Sequence, residues 1–230
     1  MKPLLTLALL AMPFLATAQD LTRDLDAFTA LAVNSGIQAT VERSDRHRVV
    51  ITGDAEALSE LKIENSGGSL ALSFRDGATG RLSAKQRSSV RATVYARALE
   101  RVAVNGGARL SSEETWRTGF LRVAANGGGA LDLRAEASDG IKVIANGGAD
   151  VRLAGTTAEL SLNVNGGAEV DASALDAGRA EVMANGGAEA AVRARERLKV
   201  MANGHAEVRY TGAVTSPEVR MNGGASVRRG

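Results

Sequence analysis

Apolar and polar residues alternate in short runs through most of the chain, most regularly after about residue 98. Residues 141–145 read Ile-Lys-Val-Ile-Ala, and residues 207–210 read Glu-Val-Arg-Tyr. A period of two places successive side chains on opposite faces of a strand, so one face of each strand is buried and the other meets water. The pattern therefore predicts an all-β protein made of many short strands.

A corner motif, Asn-Gly-Gly-Ala in most copies, separates these runs and recurs seven times. Gly129 replaces the final alanine in one copy, and His205 replaces the second glycine in another. The spacing between successive corner asparagines is nearly the same throughout. A fixed period of about 20 residues is typical of a solenoid or a hairpin array. The predicted structural corner residues are Asn105, Asn126, Asn146, Asn165, Asn185, Asn203 and Asn222.

Two architectures are compatible with this repeat. Each unit could be one coil of a parallel β-helix, with equivalent strands of neighbouring coils paired about 4.8 Å apart. Alternatively, each Asn-Gly pair could form a type I′ hairpin turn, which would give an antiparallel meander or barrel. The β-helix is favoured, because identical residues recur at the same phase and would stack on one another. The residues before the corner asparagines are mostly small, as a tight inner corner requires: Val104, Ala125, Ala145, Val164, Ala184, Ala202 and Met221.

A single unit of this kind is too small to fold alone. It offers about three large inward side chains, each contributing roughly 1.5–3 kcal/mol on burial. Ordering the backbone of such a unit costs about 1–2 kcal/mol per residue. The units must therefore stack and share a core, as in other repeat proteins.

The first residues predict export. Lys2 precedes an apolar run over residues 4–15, and Ala16-Thr17-Ala18 supplies small residues before a cleavage site at Gln19. Residues 1–18 are therefore predicted to be a signal peptide, and no later segment is apolar enough to span a bilayer. The expected location is the periplasm, the cell surface or the medium. We expect residues 19–97 to form a divergent N-terminal β cap, with degenerate corners near residues 28–37 and 63–68, and residues 98–230 to form the regular β-helix.

Composition narrows the range of functions. The chain has no cysteine, so disulfides cannot stabilise an exported fold of this sequence. The formal net charge is +2 and basic and acidic residues are mixed, so there is no basic block of the kind that binds nucleic acid. Aromatic residues make up 3% of the chain, which argues against an aromatic-lined pocket.

Several segments resemble the head GIN domain family of proposed autotransporter adhesins. They are the opening with Phe28, Leu31 and residues 33–37, the strand at residues 69–72, and residues 99–104, which enter the first regular corner. Family members usually carry Ser-Gly-Ala-Ser at the corners, where this chain has Asn-Gly-Gly-Ala. The resemblance implies a right-handed parallel β-helix, a three-sided solenoid, and the repeat period implies about 20 residues per coil.

Two rows of charge are candidate binding sites. Four carboxylates follow successive corners and would stack on each other, as ligands for a cation such as Ca²⁺ or as a solvated face neutralised by Arg152 and Arg209. On another strand, basic residues share one outward phase and either meet an anionic glycan or lipid surface or serve only to keep the protein soluble. The carboxylates are Asp150, Glu169, Glu189 and Glu207, and the basic residues are Arg101, Arg122, Lys142 and Lys199, interrupted by Ser161, Glu181 and Glu218.

No catalytic, cofactor or metal site is predicted. His47 and His205 lie far apart in the sequence, and Trp116 and Phe120 are interpreted as a local plug rather than a sugar platform. The leading hypothesis is a non-enzymatic adhesin or envelope-binding protein whose partner is an unidentified surface ligand, with a glycan as one candidate. The alternatives are a carbohydrate-active enzyme of the lyase or hydrolase type and a scaffold that associates end to end. The sequence predicts no particular oligomeric state.

Overall fold

The computed structural model describes residues 21–230, which form sixteen β-strands and three short helices. The predicted signal peptide, residues 1–18, lies outside the described residues. Within the described part of the chain, no helix is long and apolar enough to cross a membrane.

The N-terminal part, residues 21–97, combines seven short strands with the three helices. Asp54 starts α1 by accepting hydrogen bonds from the backbone N–H groups of Glu56 and Ala57, and Ser83 and Gln86 form a capping box on α3. The elements are β1 (Leu21–Asp24), β2 (Ala30–Asn34), β3 (Gln38–Arg43), β4 (Arg48–Thr52), α1 (Ala55–Ser59), β5 (Leu61–Ser66), β6 (Ser69–Phe74), α2 (Ala78–Arg81), α3 (Ala84–Ser89) and β7 (Arg91–Ala96).

The regular coils, residues 98–230, consist of strands alone. Several strands continue around most of a coil and are therefore 16 to 18 residues long. The elements are β8 (Arg101–Asn105), β9 (Arg109–Asn126), β10 (Ala130–Gly147), β11 (Asp150–Gly166), β12 (Glu169–Gly186), β13 (Glu189–Gly204), β14 (Glu207–Thr211), β15 (Glu218–Gly223) and β16 (Ser226–Arg229).

Neighbouring coils pair in parallel and in register. Asn126, Asn146 and Asn165 are direct partners across β9, β10 and β11, and the same phase continues to the last coil. The result is a β-solenoid of about six turns with about 20 residues per coil. This confirms the parallel β-helix prediction for the regular coils, and the antiparallel meander is wrong there.

One continuous apolar core runs inside the solenoid. From Val104 to Ala202, the residue before each corner asparagine is fully buried in this core. Met221 departs from the predicted inner column, because it lies in the last coil and is 52% exposed.

The N-terminal part joins the solenoid through two of its strands. β2 pairs in parallel with β8, and β3 pairs in parallel with β9. On the other side, β6 lies parallel to β2 and β7 lies parallel to β3. Beyond them the pairing becomes antiparallel, since β5 pairs with β6, and β4 pairs with β7 and β1.

The prediction of a degenerate corner at residues 63–68 was wrong. Ser66 lies opposite Ser69 in the antiparallel β5–β6 pair, so Gly67 and Gly68 form a hairpin turn. Their φ values of +57° and +72° fit a type I′ turn, which favours glycine at both central positions. The corner after β2 is genuine, because Asn34 stacks directly on Asn105.

Candidate functional site

The corner asparagines form a continuous ladder of side-chain amides. Each Nδ2 donates to the Oδ1 of the asparagine in the preceding coil, at 2.8–2.9 Å. The asparagine ladder contains one residue beyond the seven predicted, Asn34, whose own Nδ2 donates to the Leu72 carbonyl. Because these amides bond to each other, the ladder stabilises the corners and offers few free donors to a ligand. Its members are Asn34, Asn105, Asn126, Asn146, Asn165, Asn185, Asn203 and Asn222.

The predicted carboxylates do stack in register, and together they are called the acidic column here: Asp150, Glu169, Glu189 and Glu207. Arg152 pairs with Asp150 at 3.0 Å, and Arg209 pairs with Glu207 at 3.7 Å. The recess beside the column has a volume of about 90 Å³. Within residues 21–230, no group of three or more acidic, histidine or cysteine side chains is placed to hold a metal ion. Arg152 and Arg209 thus partly neutralise the two ends of the acidic column.

The predicted basic residues also stack, but their surroundings change along the solenoid. Toward the C-terminus, Lys199 pairs with Glu181 at 2.7 Å, and Arg197 pairs with Glu218. Toward the N-terminus, three consecutive cations, called the basic row, have no ion pair with any described carboxylate: Arg101, Arg122 and Lys142. The guanidinium of Arg122 lies 4.6 Å from the ring centre of Phe120.

An apolar strip runs beside the basic row on the same outer face. Two residues further along each strand, Ala32, Ala103 and Ala124 stack in register and form what we call the alanine floor. Ile144, which is 37% exposed, follows Ala124 in the next coil. These residues and the basic row line an open groove of about 450 Å³.

Sequence reasoning missed the alanine floor. Ala32 and Ala103 are neighbours in space but lie far apart in the chain, and isolated alanines in a chain rich in alanine carry little information. The basic row alone was visible, because Arg101, Arg122 and Lys142 share one phase of the repeat.

The histidines and large aromatic residues do not form a shared site. The ring of His47 packs edge-on against Phe28 with centroids 4.9 Å apart, and burial together with the nearby Arg97 charge lowers the pKa of His47. His205 lies at a corner beside Gly224. Trp116 is buried as a plug, and its Nε1 donates to Ser112 Oγ at 2.9 Å.

Comparison with protein families gives a match over residues 27–213 to the family described as "Putative auto-transporter adhesin, head GIN domain". A comparison with curated proteins finds no match.

Crystal structures of three bacterial proteins have the same fold at low sequence identity. A putative adhesin from Bacteroides fragilis NCTC 9343 is 16% identical with a TM-score of 0.78, covering 93% of this chain and 98% of that one. A putative adhesin from Parabacteroides merdae ATCC 43184 is 18% identical with a TM-score of 0.68, covering 94% and 97%. A protein titled a putative lipid binding protein, from Parabacteroides distasonis ATCC 8503, is 16% identical with a TM-score of 0.67, covering 92% and 96%.

Proposed function

Because the chain belongs to the head GIN domain family, we propose that it is an exported β-solenoid that binds a ligand of the cell envelope or cell surface and catalyses no reaction. Residues 1–18 direct export, residues 19–97 cap the solenoid, and residues 98–230 present its outer walls. The ligand class includes glycans and, given the similar structure titled as lipid binding, lipids.

The observation that carries this proposal is the uninterrupted stacking of the regular coils. Corner follows corner at a nearly constant spacing, so the described coils carry no long loops that could wall an active-site cleft. A pair of carboxylates with divergent pKa values needs one buried member. Glu169, Glu189 and Glu207 instead lie exposed on an open sheet. Such a wall is suited to contact over an area rather than to catalysis.

Export and binding can be tested separately. An epitope-tagged full-length chain should be recovered outside the cytoplasm with Gln19 as its first residue, which N-terminal mass analysis would show. Purified residues 21–230 should sediment saturably with envelope fractions or intact cells, while the heat-unfolded chain serves as the control. Recovery of the tagged chain in the cytoplasm, or sedimentation no better than that of the control, contradicts the proposal. Turnover of an envelope polysaccharide would contradict its non-enzymatic part.

A further inference from the structure

We infer that the groove formed by the basic row and the alanine floor binds one anionic lipid molecule. Its acyl chain would lie on the alanine floor, with its acidic head group against Arg101, Arg122 and Lys142. This inference deepens the proposed function, on which it rests, by assigning the ligand class and the face that binds it.

The basic row supplies the first argument. Arg101, Arg122 and Lys142 occupy adjacent strands in register, so their backbones are about 4.8 Å apart. Like charges directly opposite each other destabilise a sheet, and an anion bound between them removes that cost. The carboxylate nearest in sequence, Glu100, accepts a hydrogen bond from Thr29 Oγ1 at 3.3 Å and forms no ion pair with the row.

The position of the unpaired charge supplies the second argument. The same outward column continues to Glu181, Lys199 and Glu218, where every member has an ion-pair partner. Beside the three unpaired cations the neighbouring column is Ala103, Ala124 and Ile144. Asn163 then interrupts this apolar column before Met183 and Met201 continue it beside the paired charges. A binding site for a molecule with one charged end and one apolar end requires unpaired cations beside an apolar column.

The shape and polarity of the groove decide between a lipid and an acidic glycan. Methyl groups of Ala103 and Ala124 form its floor, while the longer Arg and Lys stems rise on one side. The ladder amides do not line the groove, and they donate to each other. A sugar needs many hydrogen-bonding partners, which this floor lacks, whereas an acyl chain gains free energy from covering apolar surface.

Binding can be tested with dodecyl phosphate below the concentration at which it forms micelles, by titration calorimetry on residues 21–230. Inorganic phosphate, dodecyl maltoside and heparin are the comparison probes. Dodecyl phosphate should bind one molecule per chain, and each comparison probe should bind at least about tenfold more weakly, because each lacks the charge or the chain. Equal binding of dodecyl maltoside, or tighter binding of inorganic phosphate or heparin, would overturn the inference.

Matched variants locate the site. Arg122→Gln should weaken dodecyl phosphate binding about tenfold, the loss expected for one charge-assisted hydrogen bond. Ala124→Asp should weaken it further by placing a carboxylate on the floor. The controls are Arg134→Gln, an exposed arginine without an ion pair, and Ala130→Asp, an outward alanine between Arg109 and Asp150. Losses that are the same for the controls and the groove variants would contradict the assigned location, and thermal melts would show that all four variants fold.

The same variants distinguish failure of this inference from failure of the proposed function. If Ala124→Asp and the unmodified chain sediment equally with envelope fractions, the chain binds the envelope by another face and the lipid inference is wrong. If neither sediments, the proposed function is wrong. Loss of sedimentation by Ala124→Asp alone, with Ala130→Asp unaffected, supports both.

Discussion

The N-terminal part and the regular coils build one solenoid by different means. In the regular coils each strand pairs with its equivalent in the very next repeat, and one corner design is copied through the stack. In the N-terminal part, 71 residues separate Asn34 from its stacked partner Asn105, and the β5–β6 hairpin, three further strands and three helices fill the interval. Local repetition is thus replaced by long-range contacts that occur only once.

This difference assigns different roles to individual residues. In the regular coils the same contact is repeated from coil to coil. We therefore expect the equivalent contacts in neighbouring coils to compensate in part for the loss of one contact. In the N-terminal part each contact is unique. Trp116 lies where the two meet, because Ser112 Oγ accepts from its Nε1 and donates to the Val41 carbonyl at 2.7 Å.

Trp116→Ala is expected to have the largest effect, because it opens a cavity at this junction. Replacing a buried tryptophan with alanine costs about 3–5 kcal/mol of unfolding free energy. Denaturant titration should show this loss, and hydrogen exchange should show faster opening of residues 21–97 than of residues 130–210. Phe120→Ala is the control, since Phe120 is only partly buried and should cost much less. Uniform opening of the whole chain would contradict the proposed separation of the two parts.

Among the substitutions in the regular coils, Gly155→Ala, which adds one methyl group, should lower the free energy of unfolding most. Gly155 has φ +119°, and an added Cβ would lie 2.0 Å from the Ala135 carbonyl oxygen. Backbone strain and the displaced coil should together cost about 3 kcal/mol, measured by denaturant titration. At Gly148 nothing lies within 4 Å of an added Cβ, so Gly148→Ala should change stability by less than about 0.5 kcal/mol. Similar losses for both variants would show that the coils do not stack as closely as described.

An interruption of the asparagine ladder should cost less and should depend on position. Asn146→Ala leaves the Asn126 Oδ1 and the Asn165 Nδ2 without their partners, which should cost about 2 kcal/mol. Asn222→Ala removes a single bond in an exposed coil and should cost about 1 kcal/mol or less. Thermal unfolding of the two variants provides the comparison. Equal losses would mean that the internal amides contribute no more than the terminal one.

His47 should make the N-terminal part slightly less stable at pH 5 than at pH 7. Burial lowers its pKa from 6.5, so the unfolded chain takes up this proton at a higher pH than the folded chain. The stability contributed by neutral His47 is complete above pH 6.5 and is lost as the pH falls from there through the lowered value. Because the side chain is partly exposed, the effect should stay below about 1 kcal/mol.

The check is hydrogen exchange of residues 21–60 at pH 7 and pH 5, expressed as protection factors so that the pH dependence of the intrinsic exchange rate is removed. The acid-induced loss of protection should be absent in His47→Gln. Persistence of the full loss in that variant would assign the acid sensitivity to another group.

The two parts also differ in how far the sequence predicted them. The seven regular corners were visible because Asn-Gly recurs at a fixed period, and parallel stacking follows from identical residues at identical phase. The period is absent before residue 98, so Asn34 was not recognised as part of the ladder, and Gly67 and Gly68 were assigned to a corner although they form a hairpin turn. Two consecutive glycines suit a solenoid corner and a hairpin turn equally well. Only the antiparallel pairing of β5 with β6 distinguishes the two structures.

The candidate site was predicted in part for the same reason. Arg101, Arg122 and Lys142 share a phase, so their alignment could be read from the repeat. Whether a cation has a partner depends on side-chain positions, and Ala32 joins the alanine floor only through the contact between β2 and β8. Neither property is encoded in local spacing.

The central claim is that equivalent strands stack one coil above the next. Double electron–electron resonance, which measures the distance between two spin labels, can test it. The chain has no native cysteine, so spin labels can be attached to Arg122→Cys and Glu218→Cys alone. Register places these positions five strands apart, through Lys142, Ser161, Glu181 and Lys199. The stacked coils predict a separation of about 24 Å, at about 4.8 Å per strand. A distance of about 48 Å, as expected if each repeat contributed two adjacent strands to a meander, would contradict the account.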